Sequence, residues 1–152
     1  MHFKNITLDE FSVIGISVRT TNKNGQSQKD IGELWSRFMQ GNISAQISNK
    51  LSDNLYCIYT EYESDYQGAY TTILGYKVST IGNLSDGLIG KNIPNSRYRM
   101  YLSEGVLPQS IMKTWSHIWE SDIDRKYLAD FDVYTPNAFS SESPIVETYL
   151  SV

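Results

Sequence analysis

Three short stretches of the chain place a carboxylate two residues from a phenol. They are Asp130-Phe131-Asp132-Val133-Tyr134, Val146-Glu147-Thr148-Tyr149 and Tyr59-Thr60-Glu61-Tyr62. Side chains alternate across a strand, so Asp130, Asp132 and Tyr134 share one face, with Phe131 and Val133 on the other. Glu147, Tyr149 and Ser151 share a face in the same way, as do Tyr59 and Glu61. A carboxylate inside a ring-lined hollow loses its hydration at a cost of several kcal/mol. An organic cation offsets that cost through charge pairing and through roughly 0.5–2 kcal/mol per ring face. The same setting raises a carboxyl pKa and would suit the group to general acid or base work. The competing reading is the solvated outer face of an antiparallel sheet. Trp115 and Trp119, one helical turn apart, are either core or a wall of such a hollow.

Other chemistries find less support. There is no Gly-x-Ser-x-Gly and no Ser-x-x-Lys motif, and Cys57, alone in the chain, lies mid-strand as a small hydrophobe would. One Cys and two His leave neither a disulfide nor a cysteine zinc cage, and no metal or cofactor is expected. His117 falls off the apolar face of its helix and reads as solvated. The Gly-rich stretch 82–91 is followed by neither a Lys-Ser or Lys-Thr pair nor a helix start, so it is no phosphate cradle. Arg97 and Arg99 share one strand face and read as a solvated pair.

The elements that would position these residues follow from periodicity. Phe11–Thr21 alternates and is rich in β-branched residues, which predicts a strand. After the turn chemistry of 22–26, Ser27 and Asp30 match a helix capping box. Ile31, Leu34, Trp35, Phe38 and Met39 then form one helical face, closed by Gly41-Asn42. Residues 43–54 read as a connector with room for one helical turn. Leu55–Tyr62 and Tyr70–Ser79 form a hairpin, and 82–91 reads as a Gly-rich loop. Arg97–Glu104 is another strand, and Pro108 opens a second helix whose face is Ile111, Met112, Trp115, Ile118 and Trp119. Tyr127–Tyr134 and Ile145–Val152 close the chain as a second hairpin.

The order is βαββ followed by βαββ, and the two helical faces correspond at a constant offset, Ile31 to Ile111 and Trp35 to Trp115. The expectation is an α+β fold. Duplicated βαββ units, at about 11–80 and 95–152, would form one antiparallel sheet with two main helices and a central ligand cleft. All 152 residues fit one domain. Hydrophobic residues at 40% supply a core. Thirteen Lys and Arg against seventeen Asp and Glu give a net charge of −4, and the basic residues do not cluster, so no direct DNA binding is expected. No apolar run reaches the roughly 18 residues of a membrane helix, and no signal peptide is evident, so a cytoplasmic, reduced protein is expected. Eleven Tyr, five Phe and three Trp suit either a pocket for flat or cationic guests or plain strand packing.

An ordered set of segments resembles the AraC-type effector-binding domain, also called the gyrase-inhibitor-like small-molecule-binding family. In the second half these are Ile93-Pro94-Asn95-Ser96-Arg97-Tyr98, Gly105, Trp115-Ser116-His117-Ile118-Trp119, Asp130-Phe131-Asp132-Val133-Tyr134 and Val146-Glu147-Thr148-Tyr149-Leu150. In the first half, Tyr59 through Tyr70 is similar to that family's Ser-Asp-x-x-Gly-x-Tyr hairpin. The resemblance implies a duplicated βαββ fold with a cleft for small aromatic or cationic compounds. In multidrug-responsive activators the domain follows a DNA reader; about ten residues precede the first strand here, which suggests a stand-alone form. Such forms include gyrase-inhibitor-like proteins and integron-cassette-encoded cationic-drug-binding proteins. The family's acidic ligand partner, usually Glu, falls at Asp132, one methylene shorter, with Glu147 as a substitute. The expected ligand-binding set is Asp132, Trp115, Trp119, Tyr59, Tyr134, Glu147 and Tyr149, and the expected activity is non-enzymatic binding of a small organic cation or aromatic compound. The alternatives are hydrolysis of a small electrophile by a cleft carboxylate, and binding of a protein partner such as gyrase or a transcription regulator.

Overall fold

The computed structural model describes residues 1–152. Its elements run β1 (Lys4–Leu8), β2 (Phe11–Thr21), α1 (Gln26–Gln40), α2 (Ile43–Gln46), β3 (Lys50–Thr60), β4 (Ala69–Val78), β5 (Ile89–Ile93), β6 (Ser96–Glu104), α3 (Gln109–Glu120), β7 (Ala129–Tyr134) and β8 (Ile145–Ser151). All eight strands join one antiparallel sheet in the order β1-β6-β8-β7-β3-β4-β2-β5. The expected α+β architecture is present: β2, β4 and β3 of the first unit mirror β6, β8 and β7 of the second about the β3–β7 pair. No helix is long and apolar enough to cross a membrane.

Two connections force the sheet to curl. The link between β1 and β2 is Asp9-Glu10, and that between β5 and β6 is Pro94-Asn95. Each joins strands six positions apart in the sheet, about 29 Å in a flat one. A two-residue link spans only about 10 Å. The ends must therefore approach each other, and the inner face closes over Val13, Ile58, Ile73, Ile93, Tyr98 and Phe131. The helices pack on the outer face, where Leu34 and Phe38 of α1 and Ile118 of α3 meet Ile16, Leu55, Leu74 and Leu150.

Several expectations fail locally. β1 was not foreseen, and the stretch read wholly as a Gly-rich loop ends in β5, which pairs with β2. Both are five-residue edge strands whose backbone pairing needs little side-chain pattern. The capping box does not form. Helix α1 begins after Gly25 in a left-handed conformation, and Asp30 instead accepts from Thr20 Oγ1 at 2.9 Å and Gln26 Nε2 at 3.1 Å. Met39, placed on the buried face, is 54% exposed.

Gly15 of β2 stands opposite Gly75 of β4, and a β-carbon on either would overlap a carbonyl oxygen of the facing strand. Gly75→Ala is expected to lower unfolding stability by about 1–3 kcal/mol, as overpacking does. Urea denaturation measures it, and an unchanged midpoint would contradict so close an approach.

Candidate ligand-binding site

Helices α1 and α3 both pack over the sheet, and residues of both line a cavity of about 590 Å³. One wall is the α1 face carrying Ile31 and Trp35, and the other is the α3 face carrying Ile111, Trp115 and Trp119. Tyr59 of β3, Tyr70 of β4 and Tyr134 of β7 form the floor, with Tyr62 and Tyr66 closing one end. The helical stripes that read as core are thus split: Leu34, Phe38 and Ile118 pack on the sheet, while Trp35, Trp115 and Trp119 turn to the cavity. Trp119 remains 43% exposed at the mouth.

The rings brace one another. Trp35 stacks on Tyr134 with centroids 5.1 Å apart and planes 27° from parallel. Tyr59 meets Trp115 edge-on at 5.4 Å and 83°. Trp115 and Trp119 lie 6.3 Å apart. Offset and edge-to-face contacts of this kind add to the area they bury, so the walls are preorganised.

Beneath the floor lies Asp132, 0% exposed. Thr148 Oγ1 donates to one carboxylate oxygen at 2.6 Å and Tyr59 Oη to the other at 3.1 Å, while the Trp115 indole N–H lies 3.3 and 3.2 Å from the two. No cation pairs with it. Burial pushes its carboxyl up to about 6, against the pull of these three donors, which stabilise the charged form. At pH 7, above that value, the ionised form prevails. The Tyr59 and Tyr134 phenols are raised well above their ordinary value, chiefly by burial and further by the nearby acid groups, so they stay protonated. Cys57 donates to Tyr59 Oη at 3.4 Å, and burial pushes its thiol up to about 12, away from nucleophilic use.

Asp130, two residues earlier on the same face, has another fate. It accepts from Arg125 Nη2 at 2.9 Å, Tyr62 Oη at 2.6 Å, and the Ser151 amide and hydroxyl at 2.7 and 3.0 Å. Of the two adjacent acids, only Asp132 leaves its charge uncompensated.

The structure brings together Tyr59, Tyr134, Trp115, Trp119 and, one layer below, Asp132. It does not bring Glu147 or Tyr149. Thr148 is the β8 residue opposite Asp132, so alternation turns Glu147 and Tyr149 to the inner face of the sheet. There Tyr149 stacks on Phe131 at 4.8 Å and donates to Glu147 at 3.2 Å. The acid–phenol pair read from the sequence exists, on the wrong side for this cavity. Glu61 also departs: β3 ends at Thr60, and Glu61, at a φ of 52°, leaves the strand to pair with Lys91 at 3.0 Å. Sequence reasoning missed Trp35 as a wall, Thr148 as a donor and Arg125 altogether. Arg125 lies in the patternless loop after α3. No three His, Cys, Asp or Glu side chains converge as metal ligands would.

Comparisons with known proteins bear on the fold and the family. An integron cassette protein of Vibrio cholerae is 26% identical, covering 99% of this chain and 95% of its own, with a TM-score of 0.73. A Staphylococcus aureus MU50 protein assigned to bacterial transcription regulation superposes with a TM-score of 0.81 at 16% identity, over 100% of this chain and 98% of its own. SAV2435, solved with tetraphenylphosphonium bound, gives 0.79 at 17% identity, covering 100% of this chain and 94% of its own. At these last two identities the likeness is one of fold. No curated protein matches the chain at significant similarity. The family model described as the integron-associated effector binding protein, Cass2, matches residues 6–152, and the chain belongs to that family.

Proposed function

We propose that the effector this chain binds is a small aromatic or bulky organic cation, held between α1 and α3 by ring faces and by the charge of Asp132. The observation that carries this reading is a fully buried carboxylate with no cation beside it, under a wall of aromatic rings. A buried charge is normally paired, and here a guest would complete the pair. Tetraphenylphosphonium, the compound bound to SAV2435, belongs to the same chemical class.

The short acid shapes the mechanism. Asp132 does not line the cavity; Tyr59 and Trp115 cover it and donate hydrogen bonds to it. Donation to an anion polarises the donor, which leaves the ring faces more electron-rich. A cation resting on those faces gains roughly 0.5–2 kcal/mol per ring. At roughly 6 Å from the carboxylate it gains about 3 kcal/mol more at an effective dielectric of about 20. The guest need not touch the acid to be recognised by it. The same three donors occupy the carboxylate and keep water off it, which favours binding over general-base catalysis.

Asp132→Asn is expected to weaken a permanent cation such as rhodamine 6G by about ten- to a hundredfold, with the circular dichroism spectrum retained. Fluorescence titration measures this, and equal affinity would remove the charge from the mechanism. Because the guest selects the ionised carboxylate, its affinity is expected to be full above about pH 6 and to fall below it, by about ten- to a hundredfold in all, before levelling at the value of the neutral acid. A neutral dye of similar shape should show no such slope. Thr148→Val removes the shortest bond to the charged form, so the inflection should move to higher pH. An inflection that stays in place would break the link between Asp132 and the profile.

A further inference from the structure

Arg125 enters the cavity wall from the loop between α3 and β7. Its side chain is only 5% exposed. The guanidinium lies 4.2 Å from the centre of the Tyr127 ring and 5.9 Å from that of Trp115, so rings flank the charge. Nη2 is bound to Asp130 at 2.9 Å. Nε and Nη1 are buried and have no acceptor in the protein. A guanidinium presents five N–H donors in a rigid plane, and it matches a carboxylate or carbonyl edge better than any other side chain. Buried donors are almost always satisfied; these belong to a residue of the cavity wall and, closed to a water-sized contact as they stand, would meet a guest oxygen through a shift of the side chain.

The charge arithmetic narrows what could satisfy them. Asp130 already neutralises Arg125, whereas Asp132 is uncompensated. A simple anion would therefore meet a site of net negative charge. A cation that also carries an oxygen acceptor meets complementary groups at both positions. Resting on the cation reading above, the geometry points to a second polar subsite at Arg125, selecting organic cations that bear a carbonyl or carboxylate oxygen over bare hydrocarbon cations. Trp115 belongs to both subsites, since its indole N–H bonds Asp132 and its ring lies beside Arg125. The cationic and oxygen-bearing parts of the guest would lie on either side of that ring.

Three dyes sharing one xanthylium cation test this directly. Tetramethylrosamine bears an unsubstituted phenyl ring, tetramethylrhodamine methyl ester adds a carbonyl, and tetramethylrhodamine adds a carboxylate. The wild-type chain is expected to bind the ester and the acid about tenfold or more tighter than the rosamine by fluorescence anisotropy. In Arg125→Lys, which keeps a positive charge beside Asp130 but loses Nε and the planar fork, the ratio should collapse to within about twofold. Equal affinities for all three dyes in the wild type would overturn the subsite and leave the cation reading standing. Binding of none would overturn both. A variant that weakens all three by one common factor, with the ratio kept, would assign Arg125 a structural part only. If Arg125→Lys does not fold, the wild-type ratios decide by themselves.

Discussion

A carboxylate without a counter-ion, sealed under a layer of rings, is the constraint around which the rest of this molecule is arranged. Thr148, Tyr59 and Trp115 all donate to Asp132 and favour its charged form against the burial that opposes it. Each donor comes from a different element: β8, β3 and α3. Holding them together requires the β3–β7–β8 register and the seating of α3 on the sheet. Two of the three donors are also cavity wall, so the hydrogen bonds that favour the charged acid also orient the surfaces a guest would touch.

The two acids on β7 show how environment, rather than residue type, assigns roles. Asp130 and Asp132 lie on one face of one strand, both fully buried. Asp130 meets a guanidinium, a phenol and a backbone amide and becomes a structural tie between the loop after α3 and the end of β8. Asp132 meets only neutral donors, and desolvation raises its carboxyl toward neutrality. A guest's charge is wanted at one acid and redundant at the other. The pair also explains how the proposed cation site can hold an arginine: its charge is spent locally on Asp130.

Much of the architecture was legible in the chain. The two helical faces, the hairpins and the mirrored order of the units follow from period and turn chemistry, because those signals are local. That Asp132 and Tyr134 share one face of β7, and Trp115 and Trp119 one face of α3, was also legible, since alternation and turn spacing fix which residues lie together. The errors have physical causes. Glu147 and Tyr149 satisfy the same acid–phenol spacing as the β7 stretch, but spacing gives two faces without saying which looks at the helices. Glu61 was assumed to continue a strand that a left-handed residue ends. Trp35 was grouped with the core stripe, although a helix beside a cavity divides its apolar face between core and hollow, and Met39 at the end of that stripe turns to solvent. Arg125 lies where no pattern exists.

By itself the sequence determined the two main helices, the six longer strands and their duplicated order, consequences of periods two and 3.6 along the backbone, but not the short edge strands β1 and β5. Tertiary structure decided which side of the sheet faces out. Two-residue links pull the sheet's ends together around the inner face, on which Glu147 and Tyr149 lie half-buried, while Asp132 lies on the outer face under the helices. It also decided which acid kept its charge unpaired, because that depended on where a loop delivered one guanidinium, a placement no residue pattern encodes.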